Sequence, residues 1–405
     1  MRRRDLLSLL AASPALTLLP QRVRAAAGAR PDVVVIGAGI VGASCAWHLA
    51  SRGCAVTVLE ARGPAAQASG HSFAWLNAGD GLQPKSYHTL RTLALGEHRR
   101  LAAQLPMPVR WDGSLEWRDA AGGAATLATE VLRMRERGAE MHLLDAAGAL
   151  AIQPGLQLAA GSELAWAAHD GALDGPAATR LLLERARSLG AKLRFPVRVR
   201  AVESRRGGGV HIKTDGETLG ADRVIIAAGT GATALAATAG FALPQKTKAG
   251  IIALTEPVEP LLRTVLYGPD VHLLQRSDGR ILLGERDGPP AGPAHAARLG
   301  AEPNEFPDPA IARQHGERLI ARASRHLPAI ASAKIAEAGI GWRPMPADGL
   351  PAIGFAPGSA SVYTAVMHSG MTLAALVGRL AAIEILDETP VELLADFRPG
   401  RFAAT

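Results

Sequence analysis

Cysteine is nearly missing from this 405-residue chain, with 2 residues, and aromatic side chains make up only 4%. Two cysteines cannot build a disulfide framework or a Cys-rich metal site, and no metal is expected. So few rings argue against base-stacking platforms, and no nucleic-acid partner is expected. Charged residues are sparse at 20%, while 48% of the chain is hydrophobic, which excludes wholesale disorder and allows a large core. Past the first residues, no apolar run reaches the roughly 20 residues that a membrane-spanning helix needs.

The net charge of +7 is concentrated at the start of the chain. Met1-Arg2-Arg3-Arg4-Asp5 leads into an apolar stretch from Leu6 to Leu19 and then Ala25-Ala26-Ala27. This pattern reads as an export signal over residues 1–27, and Arg3-Arg4-x-Leu6-Leu7 fits the twin-arginine kind; a membrane anchor or a tail is the alternative. The expected partner is the twin-arginine export machinery and the expected location periplasmic. Without that segment the net charge falls to about +3, so no anionic polymer is called for. Twin-arginine export carries folded proteins, which hints at a tightly bound cofactor. Cys45 and Cys54 are expected as two small buried side chains rather than a bridge.

Val33-Val34-Val35-Ile36 has the β-branched, apolar character of a buried parallel strand. It runs into Gly37-Ala38-Gly39-Ile40-Val41-Gly42, then a helical stretch to Arg52, and a second strand, Ala55 to Leu59, that ends at Glu60. Gly37 permits a tight turn, Gly39 lets a pyrophosphate approach the backbone, and Gly42 lets helix and strand pack closely. The helix start offers free N–H groups to phosphate. Glu60 stands where a carboxylate accepts both ribose hydroxyls, which favours NAD or FAD over NADP.

Two further stretches decide between NAD and FAD. Small residues crowd Ala68-Ser69-Gly70-His71-Ser72-Phe73-Ala74-Trp75, allowing backbone to lie against a flat ligand. Far along the chain, the stretch Gly341 to Gly354 (GWRPMPADGLPAIG) precedes a strand, Val362 to Val366, and then His368-Ser369-Gly370-Met371-Thr372 opening a helix to Leu386. In these segments the chain resembles the D-amino-acid oxidase/dehydrogenase superfamily of FAD enzymes, most of all its D-amino-acid dehydrogenase and glycine oxidase members. The resemblance runs from Asp32 to about Phe397.

The resemblance implies an α/β fold, an FAD-binding Rossmann-like domain interleaved with an α+β substrate domain on a mainly antiparallel sheet. The expected FAD domain takes residues 32–80, 155–245 and 335–398, and the substrate domain 81–154 and 246–334. It also implies non-covalent FAD, since no cysteine stands at Trp342–Arg343 and Leu76, not a histidine, occupies the other attachment position. Alongside the motif residues Gly37, Gly39, Ile40, Val41, Gly42 and Glu60, the expected FAD contacts are Ala61, Ser69, Gly70, Ser72, Ala74, Val199, Ala228, Gly229, Ser369, Gly370, Met371 and Thr372. The strand Ala221 to Ala227, ending in Ala228-Gly229, is expected to close over the dinucleotide. Residues from Asp287 to Pro309 read as a long Pro- and Gly-rich loop.

Two residues are expected to serve catalysis. Arg343 matches the arginine that holds the substrate carboxylate, a task suited to a planar, permanently charged fork. His368 is expected to add a donor or positive charge beside the flavin; many relatives have Gly before this histidine, whereas here it is Met367. The implied reaction oxidises the CH–NH bond of a D-amino acid, glycine or N-substituted amino acid, with hydride transfer to flavin N5 and imine hydrolysis to a keto acid. Oxygen or a quinone would accept the electrons. An amine without a carboxylate, or a flavin-bearing subunit of a larger complex, remains an open alternative. Trp75 and Trp342 are candidates to border the ring, and His272 to face the cavity.

Overall fold

The computed structural model describes residues 30–79, 83–119, 127–285, 306 and 308–403. The export-signal reading lies outside them, as does most of the loop expected from Asp287. Pro309 itself is not loop: it opens a helix, Pro309–His326, whose Asp308 cap accepts from the Ala310 N–H at 2.8 Å.

A six-stranded sheet holds the nucleotide end of the molecule, in the order Ala352–Phe355, Val362–Val366, Arg223–Ile226, Asp32–Ile36, Ala55–Leu59, Lys192–Arg194. All neighbours are parallel except the pair Ala352–Phe355 and Val362–Val366. The first strand runs through the middle, buried on both faces, which is why Val33 to Ile36 is apolar without alternation. The helix that follows, Ile40–Ser51, is also buried nearly all round. It lies against the C-terminal helix Gly370–Asp387 and the helix Gly175–Ser188. A side chain at Gly378 would overlap Ser44, so the first two of these helices approach closely only because position 378 is glycine. In the helix Gly175–Ser188, Asp174 caps the Ala177 N–H at 3.0 Å and Pro176 stands in the first turn.

The second layer is an eight-stranded sheet, ordered Ile335–Arg343, Lys248–Pro257, Arg280–Gly284, His272–Gln275, Val265–Tyr267, Ser114–Arg118, Glu163–Ala167, Met141–Leu144. It is antiparallel except where Val265–Tyr267 pairs with Ser114–Arg118. Two domain edges shift as a result. Glu163–Ala167 and Ile335–Arg343, placed with the nucleotide segments by sequence, are strands of this substrate-side sheet. Arg343 therefore stands at the end of a strand of the substrate layer, opposite Lys248. Both sheets have their own apolar core.

Candidate active site

The Gly37–Gly42 turn has the form that its glycines require. Gly37 sits at φ +109°, and a Cβ there would fall 2.5 Å from the Ala227 carbonyl oxygen, so Ala227-Ala228 does close over this turn. A Cβ on Gly42 would overlap the Gly37 carbonyl. Gly39 is different: a Cβ there would meet no backbone, only the Ser69 hydroxyl at 3.1 Å, so its bare face is open for a ligand. Gly39 gives the helix no side-chain cap, and the first turn contains no acid. Ser69 takes the Ile40 N–H at 2.9 Å; helix geometry leaves the next amides without an intrahelical acceptor.

Glu60 is fixed by two amides, Ala38 N–H at 3.0 Å and Arg62 N–H at 2.8 Å. The Val197 N–H donates to the Glu60 carbonyl at 2.7 Å, which brings the third nucleotide segment alongside; Val199, two residues on, starts a separate three-stranded sheet. Ala61 follows Glu60 directly, and Gly229, at φ +56°, follows the Ala227-Ala228 pair that packs on Gly37. Gly70 packs so tightly on the Ala65 carbonyl that a side chain would overlap it, and Ala74 takes a left-handed φ of +56° with its N–H on the Ser72 hydroxyl. This fits the expected backbone path against a flat ligand.

One cavity of about 620 Å³ joins the two ends of the chain. Val41 of the nucleotide helix, Ser72, Ala74, Arg343, His368 and Ser369-Gly370-Met371-Thr372 all line it. The meeting is enforced by backbone, because Gly341 packs directly on the His71 carbonyl, where any side chain would overlap. Alternation along the strand turns Arg343 inward, whereas Trp342 packs beside Ala249 and Ile340 and does not line the cavity. Trp75 and His272 do line it. Trp47 is an ordinary core residue, and both cysteines are free and buried, as expected; burial raises the Cys45 thiol to about 12 and Cys54 to about 11.

Arg343 lies over Gly250, with Nη2 2.7 Å from where a Cβ would be. Burial lowers its pKa, with the Tyr267 phenol opposing, yet a guanidinium stays charged at any physiological pH. It has no carboxylate partner among the described residues. Gly250→Ala should push the guanidinium aside and lower kcat/KM for a carboxylate substrate by roughly 10- to 100-fold. FAD content should not change; an unaltered kcat/KM would show that Arg343 does not need this berth.

His368 corrects one expectation. The ring is exposed to the cavity it lines, yet desolvation by the surrounding walls, followed by the charges of Arg343, Arg91 and Lys248, lowers its pKa to about 4, so the imidazole is neutral and contributes no positive charge near neutral pH. The Ser369–Thr372 turn opens the 18-residue helix Gly370–Asp387 with no side-chain cap, leaving its first amides available.

Several cavity residues carry no sequence signal. Tyr267 lies 4.7 Å from Trp75 and stacks on His272 at 5.3 Å between centroids. His98, neutral because burial lowers its pKa to about 4, contacts the Met371 carbonyl through Nε2 at 2.9 Å and steadies the turn from behind. Behind the wall, the Asp170 carboxylate accepts from Trp75 Nε1 at 2.9 Å and Ser114 Oγ at 2.7 Å. Burial raises its pKa to about 7 against those two hydrogen bonds. Asp170 thus binds a proton more tightly folded than unfolded: its stabilising contribution is full below about pH 4 and is lost as pH rises through 7. Asp170→Asn keeps an acceptor and removes this titration. The stability of wild type relative to Asp170→Asn should therefore fall by a few kcal/mol between pH 4 and 7 in denaturant melts. A constant difference across that range would contradict the assignment.

A glycine turn whose Gly39 meets no backbone, an acid fixed at the end of the second strand and a cavity that runs from Val41 to the second helix start together fit FAD, although Gly37, Gly39, Gly42 and Glu60 do not themselves line that cavity. The profile of the FAD dependent oxidoreductase (DAO) family matches residues 32–383. The chain belongs to this family. It is 26% identical over 363 residues to a glycine oxidase of Geobacillus kaustophilus, covering 87% of this chain and 92% of the relative. A glycine oxidase crystal structure from the same species superposes with a TM-score of 0.78 at 24% identity, over 93% of this chain and 100% of that one. One of the opine oxidase subunits of Agrobacterium tumefaciens is 25% identical over 388 residues, 92% of this chain and 98% of the relative. A bifunctional ThiO/ThiG protein of Synechocystis is 29% identical over 246 residues, but the match covers only 34% of it and 59% of this chain. This family member is therefore an FAD-dependent oxidoreductase.

Proposed function

We propose that the protein is an exported enzyme that oxidises the CH–NH bond of an α-amino acid, of the D-, glycine or N-substituted kind. The observation that carries this reading is Arg343, a half-buried guanidinium without an ion-pair partner among the described residues, facing the same cavity as the Ser369–Thr372 turn. When bound, FAD supplies the electron sink that takes the hydride from the substrate α-carbon. Arg343 grips the carboxylate through paired N–H donors and so fixes which side of the α-carbon faces the ring. His368, neutral, can hydrogen-bond the substrate amine, and the positive charges of Arg343 and Arg91 disfavour the ammonium, so the amine enters the site unprotonated. The amides of Ser369–Thr372 and their helix dipole face the site where negative charge collects.

The test is anaerobic mixing of the yellow protein with D-amino acids, glycine, sarcosine and their decarboxylated counterparts. Bleaching by the carboxylates alone supports the reading, and bleaching by amines alone overturns it. Re-oxidation by oxygen or by a quinone then identifies the electron acceptor. The twin-arginine reading supports a periplasmic location; replacing Arg3 and Arg4 by lysine should keep the protein in the cytoplasm, and continued export would contradict this. The likeness to a protein that is itself an opine oxidase subunit favours a second reading, in which the chain works as one part of a larger assembly.

A further inference from the structure

The charges around the cavity do not balance. Its acids are matched: Glu116 and Glu130 hold Arg118, and Glu285 holds Arg318 and Arg322. Asp170 is behind the wall, engaged by Trp75 and Ser114. Two lining cations, Arg343 and Arg91, remain without an ion-pair partner among the described residues; both act on His368, and Arg91 acts on Asp170 only at a distance, with no hydrogen bond between them. One substrate carboxylate accounts for Arg343 only.

Arg91 has the same kind of berth as Arg343. Its Nε donates to the Asn77 carbonyl at 3.2 Å and its Nη2 to the Asn77 side-chain oxygen. That oxygen also accepts the Gly79 N–H at 3.0 Å, and the Asn77 amide donates to the Trp75 carbonyl at 3.3 Å, so the support is itself braced. The guanidinium lies 5.6 Å from the Tyr87 ring centroid. It also passes over Gly79, where a Cβ would be 3.2 Å from Nη1. Two hydrogen bonds to neutral oxygens orient the fork without neutralising it, and Nη1 has no protein acceptor among the described residues.

We infer that Arg91 is a specificity residue that binds a second carboxylate, and that the substrate is a dicarboxylic amino acid with one carboxylate on Arg343 and the other on Arg91. The second carboxylate sits either on the substituent of the amine nitrogen or at the end of the side chain. This inference rests on the proposed amino-acid oxidation.

Matched pairs of substrates test it: sarcosine against iminodiacetate, which differ by one carboxylate on the N-substituent, and D-alanine against D-glutamate for the side-chain case. The holoenzyme should favour the dicarboxylate of at least one pair by tenfold or more in kcat/KM. Arg91→Gln should remove that preference by raising KM at least tenfold more for the dicarboxylate than for the monocarboxylate. Arg91→Lys, which keeps the charge, should restore part of it. Binding gives an independent readout, since glutarate should raise the melting temperature of wild type more than that of Arg91→Gln. Equal effects of Arg91→Gln on both members of each pair, or loss of FAD from that variant, would overturn the inference and leave the proposed oxidation standing. If no amino acid reduced the flavin, both would fall.

Discussion

Arg343→Ala should lower kcat/KM for carboxylate-bearing amines by roughly 30- to 5,000-fold, the equivalent of about 2–5 kcal/mol for removing one partner of an enclosed charge pair. The loss should appear mainly in KM, because the carboxylate is bound in ground state and transition state alike. FAD content and visible spectrum should be unchanged, since the residue stands on the substrate sheet and not in the nucleotide turn. Arg343→Lys should recover only part of the loss, because an ammonium on Gly250 cannot make the paired contacts of a guanidinium. An unchanged KM in stopped-flow reduction of Arg343→Ala would remove the residue from the site.

Gly42→Ala should abolish FAD retention. The added methyl group overlaps the Gly37 carbonyl, a backbone atom that cannot rotate away. Relief requires the helix Ile40–Ser51 to move off the strand or the Gly37 turn to open, and either change displaces the N–H groups that would hold the pyrophosphate. Overpacking of this kind costs about 1–3 kcal/mol in stability. Fewer than about a tenth of the purified molecules should keep flavin, as a weakening of more than 1.4 kcal/mol implies near the wild-type binding midpoint. Gly39→Ala is the informative contrast. It meets no backbone, so it should leave the apoprotein stable while weakening FAD. A Gly42→Ala protein with full flavin content and normal stability would contradict the described turn.

The nucleotide half of the fold is legible in the sequence because its constraints are local. A buried strand must be apolar, the turn needs Gly37, and the close approach needs Gly42, all within one short run. The meeting of Arg343 with the Ser369–Thr372 turn in one cavity is legible for the same reason, both being carried by short segments. The rest of the cavity depends on tertiary approach. Arg91 is one basic residue of an amphipathic helix, Lys85–Ala102, until Asn77 and Gly79 are seen beneath it. Tyr267, His98 and Asp170 acquire their roles from partners far away in sequence. The positive charge expected on His368 fails for a like reason, since the walls and cations that lower its pKa come from segments far apart in sequence. The domain edges moved because Glu163–Ala167 and Ile335–Arg343 pair with strands from other segments, which composition does not reveal.

The account stands on FAD and Arg343 sharing one cavity, and titrating the purified yellow protein with a non-reducing monocarboxylate tests this most directly. Wild type should give a saturable change in visible flavin absorbance, and Arg343→Ala, with its flavin still bound, should give none. The same saturable change in both proteins, or a wild-type protein that purifies colourless from flavin-replete cells, would contradict it.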